Sequence, residues 1–301
     1  MYINHNSMAT NVANTLTNHY GNLQTSTQRL STGLRVNSAA DDAAGLAIRE
    51  LMRTDIAALQ QGVRNANDAI SLIQTADGAL GIIDEKLIRM KELAEQAATG
   101  TYDSTQRLMI ESEYQAMASE ITRIANATDF NGIHLLNGNL SSDTHDGSGT
   151  GRTEGGLDSS GKLKVHFGNM NDSAEDYYYI QIGTSTASAL GVGNQAATTS
   201  LAYTVSTQQA AQSALVGLNN AVVSMVKIRA HLGALQNRLE NTISNLTTQT
   251  ENLQAAESRI SDVDVATEMT KFVRNQILTQ SAVAMLSQAN SMPQMAMQLI
   301  G

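Results

Sequence analysis

The chain of 301 residues has no cysteine, no tryptophan and a single proline. Without thiols there is no disulfide framework, no thiolate metal ligand and no cysteine nucleophile. Eight tyrosines and three phenylalanines supply little ring surface, which excludes a broad aromatic core. Apolar residues still make up 42% of the chain, and they are small or aliphatic, a composition that suits helix seams. One proline leaves long helices uninterrupted, and sandwiches or barrels need more turn chemistry than this. Cations are scarce too: 19 Lys and Arg against 28 Asp and Glu give a net charge of −9, with no basic cluster to neutralise phosphates, so no nucleic-acid partner is expected. No window reaches the roughly 18 apolar residues of a membrane span. Met1 to Thr10 has neither a basic head nor an apolar stretch, so no cleavable signal peptide is expected and no membrane role is read.

What the chain does have is apolar residues at alternating steps of three and four. The longest seam runs through Ile228, Leu232, Leu235, Leu239, Thr242, Leu246, Gln249, Leu253, Ala256, Ile260 and Val263, the spacing of a coiled coil. A second runs through Ile56, Leu59, Val63, Ala66, Ile70 and Ile73 and continues, shifted in phase, from Leu80 through Leu87 and Met90 to Ala97. After the turn-like Gly100 to Ser104, Ile110, Tyr114, Met117, Ile121 and Ile124 restart it. These seams predict helices over 43–99, 104–128 and 206–260, packed as an elongated antiparallel bundle.

Weaker seams mark both ends, Ala9 to Leu34 and Leu278, Ala282, Met285, Ala289, Met292, Ala296 and Leu299. Rich in Ala, Thr and Met, they bury too little to offset their ordering entropy alone. They are expected to be disordered in a free monomer and to fold against each other and against neighbouring chains. Pro293 is expected to kink or loosen the last turn.

Between 139 and 205 the seam vanishes and glycine accumulates, marking an insert. Within it Lys162 to Phe167 and Tyr177 to Ile182 carry strand formers and predict one small β-hairpin. Asn131-Gly132 predicts a second, shorter hairpin at the end of the third helix. The fold class is therefore mainly α, built from both termini, with a small hairpin-containing insert in the middle.

Three stretches are more specific than periodicity: Ser31 to Ile48 (STGLRVNSAADDAAGLAI), Thr128 to Gly138 (TDFNGIHLLNG), and Gln254 to Gly301 with its SDVDV and ANSMPQ runs. In these the chain strongly resembles bacterial flagellin, at both ends and in the right order. The resemblance implies a structural subunit of the flagellar filament that serves swimming motility and is exported unfolded by the flagellar type III apparatus. Residues 1–42 and 261–301 would be inner-tube helices, 43–138 and 206–260 the outer-tube bundle, and 139–205 a variable surface insert facing water. Implied partners are the chain itself as a helical homopolymer, a secretion chaperone, the hook-associated junction and cap proteins, and the vertebrate innate receptor for flagellin. The implied location is the extracellular filament.

The same resemblance assigns residues. Arg35, Asn37, Asp41, Asp42 and Arg49 would form the spoke joining inner and outer tubes; on residue type alone, Asp41 and Asp42 read as carboxylates at a helix start. Arg89, Leu93 and Glu113 would form the surface used between protofilaments and by the receptor, Leu93 standing off the seam of Leu87, Met90 and Ala94. Leu278, Met285, Met292 and Leu299 would meet the chaperone and then pack in the inner tube; as a bare pattern they fill a helix seam.

Nothing points to catalysis, a metal or a cofactor. The six histidines are scattered, and neither a zinc-binding H-E-x-x-H nor a G-x-S-x-G elbow is present. Gly147 to Gly156 lacks the ending of a phosphate loop and reads as a flexible tip, and His145-Asp146 and Asp172 with Asp176 read as solvated loop groups rather than a calcium site. Two alternatives share the coiled-coil features: a junction protein between hook and filament, and a cytoplasmic signalling rod.

Overall fold

A computed structural model describes residues 6–141, 161–172, 175–193 and 204–300, with 296–300 described by backbone alone. In chain order the elements are α1 (Ser7–Thr32), α2 (Ala43–Ala98), α3 (Ser104–Ala127), β1 (Asp129–Phe130), β2 (Ile133–His134), β3 (Leu163–His166), β4 (Tyr177–Ile180), α4 (Gln208–Ser261) and α5 (Val265–Ile300). The chain divides into two compact units, Ala57–Gln249 and the paired ends Met1–Ile56 with Thr250–Gly301. The Gly147 to Gly156 tip and His145-Asp146 lie outside the described residues.

In the middle unit, α2, α3 and α4 share one core. Its fully buried side chains include Ile73, Leu80, Ile83, Leu87 and Met90 from α2, Tyr114 and Ile121 from α3, and Leu218 and Met225 from α4. Three-four spacing is what brings these residues onto one face of each helix. The turn between α2 and α3 is closed by Arg107, which donates from Nε to the Ala97 carbonyl at 3.0 Å and from Nη2 to Thr99 O at 2.8 Å. It thereby satisfies acceptors that the end of α2 leaves open. Gln106 Oε1 accepts the Asp103 N–H at 3.0 Å and helps start α3. β1 and β2 pair antiparallel across Asn131 and Gly132, whose φ values of 53° and 80° are those of a tight hairpin turn.

Two expectations are corrected here. Leu93 is not off the seam: it is 2% exposed and part of the core. The core takes residues from several elements, so α2 buries a wider stripe than a two-helix seam requires, and Leu93 falls inside it. Nor do the described parts of the insert simply face water. Val165, Phe167, Ile180, Ile182 and Val192 are buried. The β3–β4 hairpin, in register Val165 to Tyr178, turns one face to the helices and leaves Lys164, His166, Tyr177 and Tyr179 on the other, as strand alternation dictates. It is fastened by Asn65 Nδ2, which donates to His166 O at 2.8 Å, and by the Arg238 guanidinium, 3.7 Å over the Tyr178 ring. Gly62 permits the contact: a Cβ there would stand 2.0 Å from Phe167 O.

Candidate self-assembly interface

In the unit of paired ends, α1 and α5 run antiparallel. Asn6 starts α1, its Oδ1 accepting the Ala9 N–H at 3.0 Å. Where the helices meet, the buried residues are small or polar: Ser26, Glu268, Thr279 and Ala289. Leu16, Leu23, Phe272 and Leu286 are half-buried, and many other large apolar side chains of α5 point elsewhere. Val265 (56%), Ile277 (57%) and Met285 (59%) are well exposed, and so are Met269, Val273, Leu278 and Val283. This corrects the expected seam at two positions. Leu278 and Met285 do not fill it; their neighbours Thr279 and Leu286 turn inward instead, while the expected Ala289 is buried and Ala282 half-buried, because one partner helix covers only one stripe of a helix that is apolar on most sides. Met292 is half-buried, and the side chain of Leu299 lies outside the described residues. Pro293 lies inside α5, which continues to Ile300.

The connector between α1 and α2 and the one between α4 and α5 are tied together. Leu34 and Asp262 form an antiparallel bridge, Val263 N donates to Gly33 O at 3.0 Å, and Arg35 N donates to Ser261 O at 2.6 Å. The Arg35 guanidinium donates to Ile260 O from Nη2 at 2.6 Å and from Nε at 3.2 Å, occupying a carbonyl at the end of α4. Asp41 Oδ2 accepts the Asn37 and Ser38 N–H groups at 3.2 and 3.0 Å. These backbone donors, Ser38 first, and then the Ser38 hydroxyl hold the Asp41 carboxyl below the usual carboxylate range, and Arg29 lies 3.7 Å away. Asp42 Oδ1 accepts Gly45 N–H at 2.9 Å at the start of α2. Arg49 is 8% exposed and donates to Val36 O at 2.8 Å and to Glu50 Oε1 at 2.8 Å. All five residues assigned from the motif therefore meet in one unit.

The motif alone does not show the partners of Arg35 across the connector, Ile260 O and Ser261 O. Asp264 starts α5, accepting the Ala266 and Thr267 N–H groups at 3.0 and 3.3 Å. The Thr267 hydroxyl, at 2.6 Å, is the largest cause lowering its carboxyl pKa. An Asp directly ahead of Val265 and Ala266, with Glu268 in the first turn, is the signal the sequence offers for this helix start.

On the middle unit, Arg89 donates to Glu113 Oε1 at 2.9 and 3.1 Å and to Glu92 at 2.9 Å. Arg89 and Glu113 are about half exposed and Leu93 is buried. Lys91 Nζ donates to Asn219 Oδ1 at 2.8 Å. Among the described residues no group of three His, Cys, Asp or Glu is placed to hold a metal. The Asp176 carboxylate accepts the Asp172 N–H at 2.7 Å, closing the hairpin loop on itself. Among the described residues no helix is long and apolar enough to cross a membrane.

Paired chain ends that leave large apolar side chains uncovered are the mark of a subunit that assembles with others. The chain belongs to the bacterial flagellin family: the bacterial flagellin N-terminal helical region matches residues 3–141 and the C-terminal helical region matches 215–300. It is similar to a flagellin of Bacillus subtilis, 42% identical over 311 residues with all of both chains covered. A flagellar filament 33 kDa core protein of Treponema phagedenis is 40% identical over 301 residues, again with all of both chains covered. A putative flagellar hook-associated protein of Vibrio parahaemolyticus shares the fold, at 13% identity and TM-score 0.55, covering 74% of this chain and all of that one. Full-length identity to filament proteins favours the filament subunit over the junction protein and the signalling rod. The family is structural, its members polymerise into the flagellar filament, and that filament is extracellular.

Proposed function

We propose that the subunit polymerises by burying the outer faces of α1 and α5 against the same helices of neighbouring copies. The observation that carries this is the uncovered row on α5, Val265, Met269, Val273, Ile277 and Met285. A helix apolar on most sides needs more than one partner to stay out of water, and within one chain it has one. Repeated head-to-tail contacts that do not close yield a filament. In this reading residues 1–42 and 261–301 line an inner tube, 43–138 and 206–260 form an outer tube, 139–205 is the variable region, and Arg35, Asn37, Asp41, Asp42 and Arg49 are the spoke between tubes.

Before assembly the chain is secreted unfolded through the flagellar type III apparatus, Leu278, Met285, Met292 and Leu299 being held by the secretion chaperone. Junction and cap proteins bound the polymer, and Arg89 and Glu113, with Leu93 supporting them from beneath, form the patch met by the adjacent protofilament and by the vertebrate receptor. Removing residues 270–301 tests the core of this reading. The truncated chain is expected to be a soluble, largely helical monomer by circular dichroism and to form no filaments by electron microscopy; normal filaments would refute it.

A further inference from the structure

Pro293 is the single proline of the chain and sits inside a helix. It has no N–H, so the carbonyl four residues earlier, Ala289 O, loses its donor within α5. Ala289 is 6% exposed, and a buried carbonyl without a partner is unfavourable. The missing donor comes from the other end of the chain: Asn6 Nδ2 donates to Ala289 O at 2.8 Å. The same amide's Oδ1 caps α1 through the Ala9 N–H at 3.0 Å.

We propose that Asn6 and Pro293 form a latch that fixes the register of α1 against α5. The buried seam residues Ser26, Thr279 and Ala289 are small and weakly apolar, so they offer little resistance to sliding one helix by a turn. Backbone carbonyls do not resist sliding either, because in the interior of a helix each is already engaged by the N–H four residues on. Pro293 breaks that equivalence and leaves one marked acceptor on α5. Asn suits the opposing position because it carries donor and acceptor on one short side chain. Asp keeps the cap and lacks the donor. Ser26 with Glu268 pins the far end of the pair, where the hydroxyl and carboxylate meet at 2.7 Å. Register decides which outer side chains of the two helices stand side by side, so Asn6 and Pro293 are positioning residues for polymerisation.

The test is a cycle of four proteins: the parent, Asn6→Asp, Pro293→Ala and the double variant, each polymerised and then heated while filament dissociation is followed by light scattering. Asn6→Asp is expected to lower the dissociation midpoint by several degrees although the cap is kept. Pro293→Ala restores the N–H that occupies Ala289 O, so the double variant is expected to recover most of that loss. The latch is overturned if Asn6→Asp melts like the parent, or if the double variant is as weak as Asn6→Asp. The inference rests on α1 and α5 pairing in the filament, and the two failures differ. If the pairing is wrong, chains lacking residues 270–301 also form filaments; if only the latch is wrong, that truncation abolishes filaments while Asn6→Asp leaves them unchanged.

Discussion

Ser26 donates its hydroxyl hydrogen to Glu268 Oε1 across 2.7 Å, although the two residues are 242 apart in sequence and both are buried. Burial pushes the Glu268 carboxyl up, but the Ser26 hydroxyl, then Lys271 and Arg29, pull it down further, and the balance lies below the ordinary value. A folded-state pKa below that of the unfolded chain, about 4.3 for glutamate, stabilises folding above that value and ceases to do so as pH falls through the folded one. The α1–α5 pair is therefore expected to weaken under acid, below roughly pH 4. Glu268→Gln should flatten this pH dependence, and Ser26→Ala should cost about 1–3 kcal/mol by stranding a buried acceptor. Thermal melting of filaments across acid to neutral pH measures both.

Two glycines of α2 should respond to alanine with opposite sign. At Gly62 the new Cβ meets Phe167 O at 2.0 Å, a backbone atom that cannot swing aside, so the hairpin must shift. A loss of about 1–3 kcal/mol outweighs the roughly 1 kcal/mol of helix propensity gained. At Gly81 nothing lies within 4 Å, and the propensity gain should appear as added stability. Urea denaturation of the two variants decides.

Arg35 and Arg49 act on backbone carbonyls of the connectors, so charge alone should not replace them. Arg49→Met leaves Val36 O without its donor and is expected to lose about 1–3 kcal/mol. Arg35→Lys keeps the charge and loses the planar two-donor approach to Ile260 O; slower filament growth is expected, with the helical signal of the free chain unchanged. Seeded polymerisation followed by light scattering is the readout.

Arg89 and Leu93 separate surface from core. Glu113→Ala breaks a half-exposed pair and should leave the unfolding midpoint unchanged, so any loss of receptor signalling in a reporter-cell assay would be a contact effect. Leu93→Ala opens the core and should cost about 2–5 kcal/mol, lowering the midpoint together with any recognition.

The long helices were legible from three-four spacing to within a residue or two, because burial of one face leaves that period in the sequence. The hairpins were legible from strand formers and from Asn131-Gly132. The width and phase of the buried stripe were not. Spacing through Leu87, Met90 and Ala94 cannot tell how many neighbours α2 has, which is why Leu93 was misjudged. On α5 apolar residues occupy nearly every face, so the spacing places Ala289 in the seam but takes Leu278 and Met285 for their inward neighbours Thr279 and Leu286. Of the connector, the residue types from Arg35 to Asp42 and Arg49 were visible, but the acceptors Ile260 O and Ser261 O were not, because backbone acceptors leave no mark on composition. The bond from Asn6 to the Ala289 carbonyl was beyond reach for the same reason.

The hydrogen bond from Asn6 to Ala289 O spans 283 positions of chain, whereas the buried cluster of the middle unit is built from residues between Ala66 and Leu239. Closing a ring of chain grows harder with its length, and a middle that has already condensed shortens the ring left to close. The centre is therefore expected to condense first and the two tails to pair last. A tail that pairs late is expected to be as open to a neighbouring copy's tail as to its own.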